Sequence, residues 1–174
     1  MYNKKVKDRG FTLIELLIVI AIIAILAIIV VLTINPARIM EKSRDSQRMS
    51  DLTTLATAIN LYLADNHDFT GLGGVTYATN DPGKTDNEKK KNDSTGWVPI
   101  DFSVVSSGAP IAALPIDPKN DNTYFYRFGA NEGTKTYELD CVFENSDNQS
   151  KHSADGGDNA NRYEVGTDLT ILGA

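Results

Sequence analysis

A chain of 174 residues has room for one modest hydrophobic core, and less once a membrane segment is set aside. The formal charge is -6, and the first ten residues hold Lys4, Lys5, Lys7 and Arg9 against Asp8, so the remainder carries -9 and is a poor nucleic-acid binder by charge. One cysteine, Cys141, excludes an internal disulfide and leaves stability to packing, partners or a bound ion.

The first predicted element is a membrane helix. Every residue from Leu16 to Leu32 is apolar, and the span Phe11–Ile34 would rise about 36 Å as a helix, enough to cross a bilayer. Basic residues precede it and the acidic bulk follows, which places the amino terminus in the cytoplasm and exports the rest from a single-pass inner (plasma) membrane anchor. A secretory signal would have a shorter apolar core and a small-residue cleavage site after it; "TINPARIMEKSRD" offers none.

Glu15 interrupts this span. An ionised carboxylate in hydrocarbon costs roughly 2.5–3.5 kcal/mol on insertion scales, and such residues mark function and a nearby partner. No Lys, Arg or His lies between Phe11 and Ile34. The nearest cation within the span is a free α-amino group on Phe11, which exists only if the Gly10–Phe11 bond is cut. The alternative is an uncut chain whose Glu15 snorkels to the headgroups.

Gly10 followed by Phe11-Thr12-Leu13-Ile14-Glu15-Leu16 resembles the leader of type IV pilins and of the pseudopilins of type II secretion. The resemblance implies that a prepilin peptidase cuts after Gly10 and methylates Phe11, and that Glu15 pairs with a neighbouring subunit's amine during assembly. It implies a homo-oligomeric helical filament, an inner-membrane assembly platform, and membrane lipid around the helix before assembly. The resemblance also implies a structural role rather than an enzyme. The resulting division is a leader over 1–10, a transmembrane helix over 11–34, an amphipathic stalk helix over 35–66 and an exported domain over 67–174.

Pro36 should kink the helix or loosen the turn before it. Beyond it, Met49, Leu52, Leu55, Ala56, Ile59, Tyr62 and Leu63 recur at spacings of three and four, one apolar face of a helix ending near Asn66. "EKSRDSQR" is charged throughout and is expected in solvent or at a subunit contact. Residues 67–110 are dense in turn formers and predict exposed loops, with Lys89, Lys90 and Lys91 at a solvated tip and Trp97, Val98 and Ile100 anchoring the region on a sheet. Three strands are expected within "TYFYRFG", "KTYELDCVFE" and "RYEVGTDLTIL", the first two joined by a hairpin at Gly133. Cys141 shares a face with Tyr137, Leu139 and Phe143 and reads as a small buried apolar residue. The fold class is α+β: a long helix covering a small antiparallel sheet.

Two later stretches extend the resemblance. Leu114-Pro115-Ile116-Asp117-Pro118, followed by Tyr124 and Tyr126, is similar to the loop leading into the sheet of major pseudopilins, with Lys119-Asn120 replacing the usual aromatic-glycine pair. "SADGGDNANRYEVGTD" is similar to the calcium loop of the same group: Asp155 matches its first aspartate, and either Asp158 or Asn161 takes the second place. An acidic turn that binds nothing is the alternative. His67 and His152 lie in no nucleophile or metal motif and are expected on the surface, against an exported enzyme. Beside the filament subunit stand two other readings, a minor pilin gripping DNA or a surface and a membrane-anchored exported domain.

Overall fold

The computed structural model describes residues 10–33 and 35–173. The expected leader therefore lies outside the described residues except for Gly10, as does Ile34. The chain divides into two compact units, Met1–Ile39 and Met40–Ala174.

The first unit holds α1, Leu13–Thr33, and the first residues of α2, Pro36–Ala64. The apolar run and the stalk are thus separate helices. Pro36 is the first residue of α2, where its missing N–H leaves no bond unmade. Asn35 supplies the cap, its Oδ1 accepting from the Ala37 amide at 3.1 Å.

In the second unit α2 lays one stripe on the sheet: Leu52, Leu55, Ala56 and Ile59 are buried, with Met49, Tyr62 and Leu63 packed at its margin. The helix stops where expected. Asn66 takes the left-handed conformation, with φ at 64°, and its amide returns to the Leu63 carbonyl at 3.1 Å.

Four strands form one antiparallel sheet in the order β1, β2, β3, β4: Tyr77–Ala78, Arg127–Asn131, Thr136–Cys141 and Tyr163–Gly166. The pairs Tyr77 with Phe128, Phe128 with Leu139, and Leu139 with Val165 run as one apolar row across it. Tyr137, Leu139, Cys141 and Phe143 are all in the core, as the alternation predicts. Burial raises the Cys141 thiol well above its ordinary pKa, so it is an inert core residue. The β2–β3 hairpin spans Glu132–Lys135 and is fixed by Asn131 Oδ1, which accepts from the Gly133 amide at 3.0 Å.

Several expectations need correction. Each strand is shorter than its stretch of sequence, and the two-residue β1 was not foreseen. Residues 67–110 are mostly irregular and more than half of them are exposed, as expected, but the stretch contributes more to the core than its composition announced. Phe69, Trp97, Val98, Ile100 and Phe102 complete the core, a short helix α3 occupies Asp86–Lys89, and Trp97 Nε1 donates to the Pro115 carbonyl at 2.8 Å. Lys89 is buried at the end of α3 rather than at a solvated tip, because its carbonyl takes the Trp97 amide and the Lys90 carbonyl takes that of Leu114.

His152 is likewise buried, not on the surface. Its Nε2 accepts from the Phe143 amide at 3.2 Å and its ring stacks on Phe143, after a short helix α4 at Ser146–Gln149. That geometry requires the neutral ring, and burial lowers its pKa below the usual 6.5 despite the neighbouring Asp155 and Asp45. Stability from this group is therefore complete above about pH 6.5 and lost as the pH falls, since the unfolded chain takes up the proton first. The expected slope is at most about 1.4 kcal/mol per pH unit, the value of one proton. Chemical unfolding between pH 7 and 5 should show it in the native chain and not in His152→Gln; equal slopes would remove His152 from this role.

Candidate functional site

The amino-terminal segment forms the first candidate. Leu13–Val31 is long and apolar enough to cross a membrane, and Glu15 is the one charged residue in α1. Thr12 and Glu15 make a reciprocal capping box: Thr12 Oγ1 accepts from the Glu15 amide at 3.3 Å, and Glu15 Oε2 accepts from the Thr12 amide at 2.8 Å. The Thr12 hydroxyl donates to the same oxygen at 2.8 Å. Hence Glu15 has partners in the uncut chain, and an amine is not its only recourse. T-x-x-E before an apolar run was the signal that could have disclosed Thr12. The Gly10–Phe11 bond lies just before this cap, outside the helix, and Phe11 is 84% exposed.

A second site was missed from the sequence. Asp45 and Arg48 of "EKSRDSQR" are fully buried within the domain, where solvent or a subunit contact was expected for the stretch. Arg48 reaches Asp117 through two nitrogens at 2.6 and 2.9 Å, and its third contacts Asp45 at 2.9 Å and Glu144 at 2.8 Å. Arg44 grips Glu144 with two bonds of 2.7 Å, Lys119 Nζ lies 3.0 Å from the same carboxylate, and Arg48 covers the Tyr124 ring. Three cations thus meet three carboxylates. Burial would raise Glu144, but hydrogen bonds from Arg44, Lys119 and Arg48 outweigh it and bring the carboxyl down to about 2. Asp117 comes from the Leu114–Pro118 loop, and also accepts the Lys119 amide at 2.8 Å. The network therefore ties that loop and the segment after β3 to α2. Its signal was phase: 45, 48, 52, 55 and 59 form one stripe, so two charged residues continue the buried face.

The stretch expected to hold calcium is fixed by hydrogen bonds of its own. Asp155 Oδ1 accepts from the Gly157 amide at 3.0 Å and Oδ2 from the Glu164 amide at 2.8 Å, whereas Asp158 and Asn161 are exposed. Among the described residues no three acidic, histidine or cysteine side chains gather as a metal cage. Asn159, unremarked in the sequence, is the loop's buried member: its amide donates to Glu164 Oε2 at 3.1 Å and its Oδ1 accepts from the Asn161 amide at 3.0 Å. The loop folds tightly enough that a Cβ on Gly157 would stand 1.9 Å from Glu164 Oε2.

The model of the prokaryotic N-terminal methylation motif matches residues 5–31. The chain has a prepilin-type amino terminus. The match takes in the basic flank, Gly10, Phe11, the capping pair and most of α1. Comparison with curated proteins and with solved structures gives no match.

Proposed function

We propose that this protein is a subunit of a type IV pilus-like filament or a type II secretion pseudopilus, held in the membrane by α1 until a prepilin peptidase cuts after Gly10 and methylates Phe11. The observation that carries the reading is the combination of that motif with a lone carboxylate at the start of an otherwise uncharged membrane-length helix. Before assembly lipid surrounds α1. On extraction, with an inner-membrane platform as partner, packing against the helices of other copies replaces lipid contact. Glu15 then exchanges its local cap for the amine of a neighbouring Phe11, which fixes the axial register. Contacts of one kind that do not close on themselves generate a helical filament. Export of the acidic domain agrees with the basic flank being retained in the cytoplasm.

Intact mass of the chain produced with and without a prepilin peptidase tests the processing step. The expected product, only with the peptidase, lacks Met1–Gly10 and carries one added methyl group. An unchanged mass in both samples would leave an uncut membrane-anchored domain.

A further inference from the structure

The ion network on α2 is balanced, with Arg44, Arg48 and Lys119 answering Asp45, Asp117 and Glu144. One turn further along, Asp51 is not. Its Oδ2 accepts from the Tyr126 hydroxyl at 2.8 Å, so a fully buried ring fixes the carboxylate from beneath. Burial raises its pKa above the usual range, as does the charge of Asp117, against the hydrogen bonds of Tyr126 and Gln47; no cation is among the groups that act on it. Asp51 is half-buried and lines a cavity of about 440 Å³ between α2 and the loop of residues 113–118. The far wall is apolar, with Leu114 buried and Ile116 packed against the core, and the exposed Lys90 stands at the rim.

A carboxylate drawn partly out of water, held in one orientation and left without a counter-ion is unfavourable until a cation reaches it. The apolar wall beside it selects among cations. A hydrated metal ion gains nothing from Leu114 and Ile116, whereas an amine on an aliphatic stem buries the stem against them and sets its head on the acid. We propose that the cavity binds an aliphatic ammonium group, the side chain of a lysine or a free alkylamine, with its nitrogen on Asp51 and its stem between α2 and residues 113–116. Lys90 is the competitor within the chain, and to take the acid its ammonium must leave the solvent that now surrounds it. Every residue of the site belongs to the second unit, so binding does not depend on whether the chain enters a filament.

The test is a titration of the full chain in detergent with n-butylammonium chloride, the lysine side chain without its backbone, followed through the amide resonances of Asp51, Leu114, Ile116 and Asp117. These should shift saturably. The same stem without the charge, n-butanol, should bind at least about tenfold more weakly, the value of one charge-assisted hydrogen bond. Asp51→Asn, which keeps an oxygen for Tyr126, should weaken the amine by a similar factor, and Lys90→Gln should bind it no less tightly. No saturable shift in the native chain would overturn the site, as would an alcohol that binds equally well or amine binding that survives Asp51→Asn unchanged. The alcohol comparison uses the native chain, so the outcome does not hang on whether a variant folds. A water-soluble carbodiimide, which joins a carboxylate to an amine in contact with it, then tells the source. A cross-link from Asp51 to a lysine of a second copy assigns the cavity to a protein neighbour, and butylammonium binding without that cross-link assigns it to free alkylamines. A cross-link from Asp51 to Lys90 of the same chain, with no butylammonium bound, would overturn the site and give the acid its counter-ion at home.

Discussion

Arg48→Ala should destabilise the domain by about 3–5 kcal/mol, the usual consequence of removing one partner from a buried ion network. The loss would be read as a lower denaturant midpoint for the full chain in detergent, with the slope of the transition unchanged. The cause lies in what remains. Without the guanidinium, Asp45 and Asp117 stay buried, and Glu144 keeps only Arg44 and Lys119. Arg48→Lys should recover only part of the loss, because one ammonium cannot reproduce the two-nitrogen grip on Asp117 and also reach Asp45 and Glu144. The Lys42–Asp147 pair is the comparison: it is equally short at 2.7 Å, but both side chains are about half exposed, so Lys42→Ala should change stability by no more than about 1 kcal/mol. Acid provides a second reading. Glu144, lowered from 4.5 to about 2, contributes stability that is complete above its unfolded pKa and lost as the pH falls through about 2. That acid limb should shrink in Arg48→Ala. If Arg48→Ala and Lys42→Ala proved equally mild, the network would not be what holds the loop to α2.

The sequence disclosed what depends on period and composition. The apolar stripe of α2, the alternation in β3 and the turn at its hairpin each arise from a local spacing, and each is found in the structure. It concealed what depends on a partner distant in the chain. Asp45 and Arg48 are charged, yet they lie in register with Leu52 and Ile59, and their burial is made tolerable by groups from beyond the first strand: Asp117 and Glu144 for Arg48, and the Glu144 and Asn145 amides for Asp45. The alternation around Tyr137, Leu139 and Cys141 identified the oily face of β3 but not the surroundings of the other. Glu138 and Asp140 point away from α2 and are buried all the same, because the Ile171 and Leu172 amides close on Glu138 and Arg127 and Arg162 close on Asp140. Composition told only part of residues 67–110 for a related reason. Turn formers set the path of a backbone, while Phe69, Trp97 and Phe102 determine that the path is pinned to the core.

Glu15→Gln should cut filament yield at least about tenfold in cells that make the native filament, with subunit abundance unchanged. Three substitutions are needed to separate the two tasks of this residue, because Glu15 both caps α1 and carries its only charge. Glutamine serves as well as glutamate in a capping box, so Glu15→Gln keeps the helix start and removes the charge. Thr12→Val does the reverse: it removes the capping hydroxyl, at a cost of about 0.5–2 kcal/mol to the first turn, and leaves the carboxylate. Glu15→Ala removes both. A carboxylate in hydrocarbon is unfavourable by roughly 2.5–3.5 kcal/mol, and by the proposed exchange a neighbour's amine relieves that during assembly. At 1.4 kcal/mol per factor of ten, the relief amounts to about two orders of magnitude in favour of the assembled state. The expected order is therefore native, then Thr12→Val reduced a few-fold, then Glu15→Gln and Glu15→Ala together at the bottom. A Glu15→Gln chain that assembles normally while Thr12→Val does not would invert the assignment: the carboxylate would then be a helix cap, and register would have to come from the packing of α1 alone.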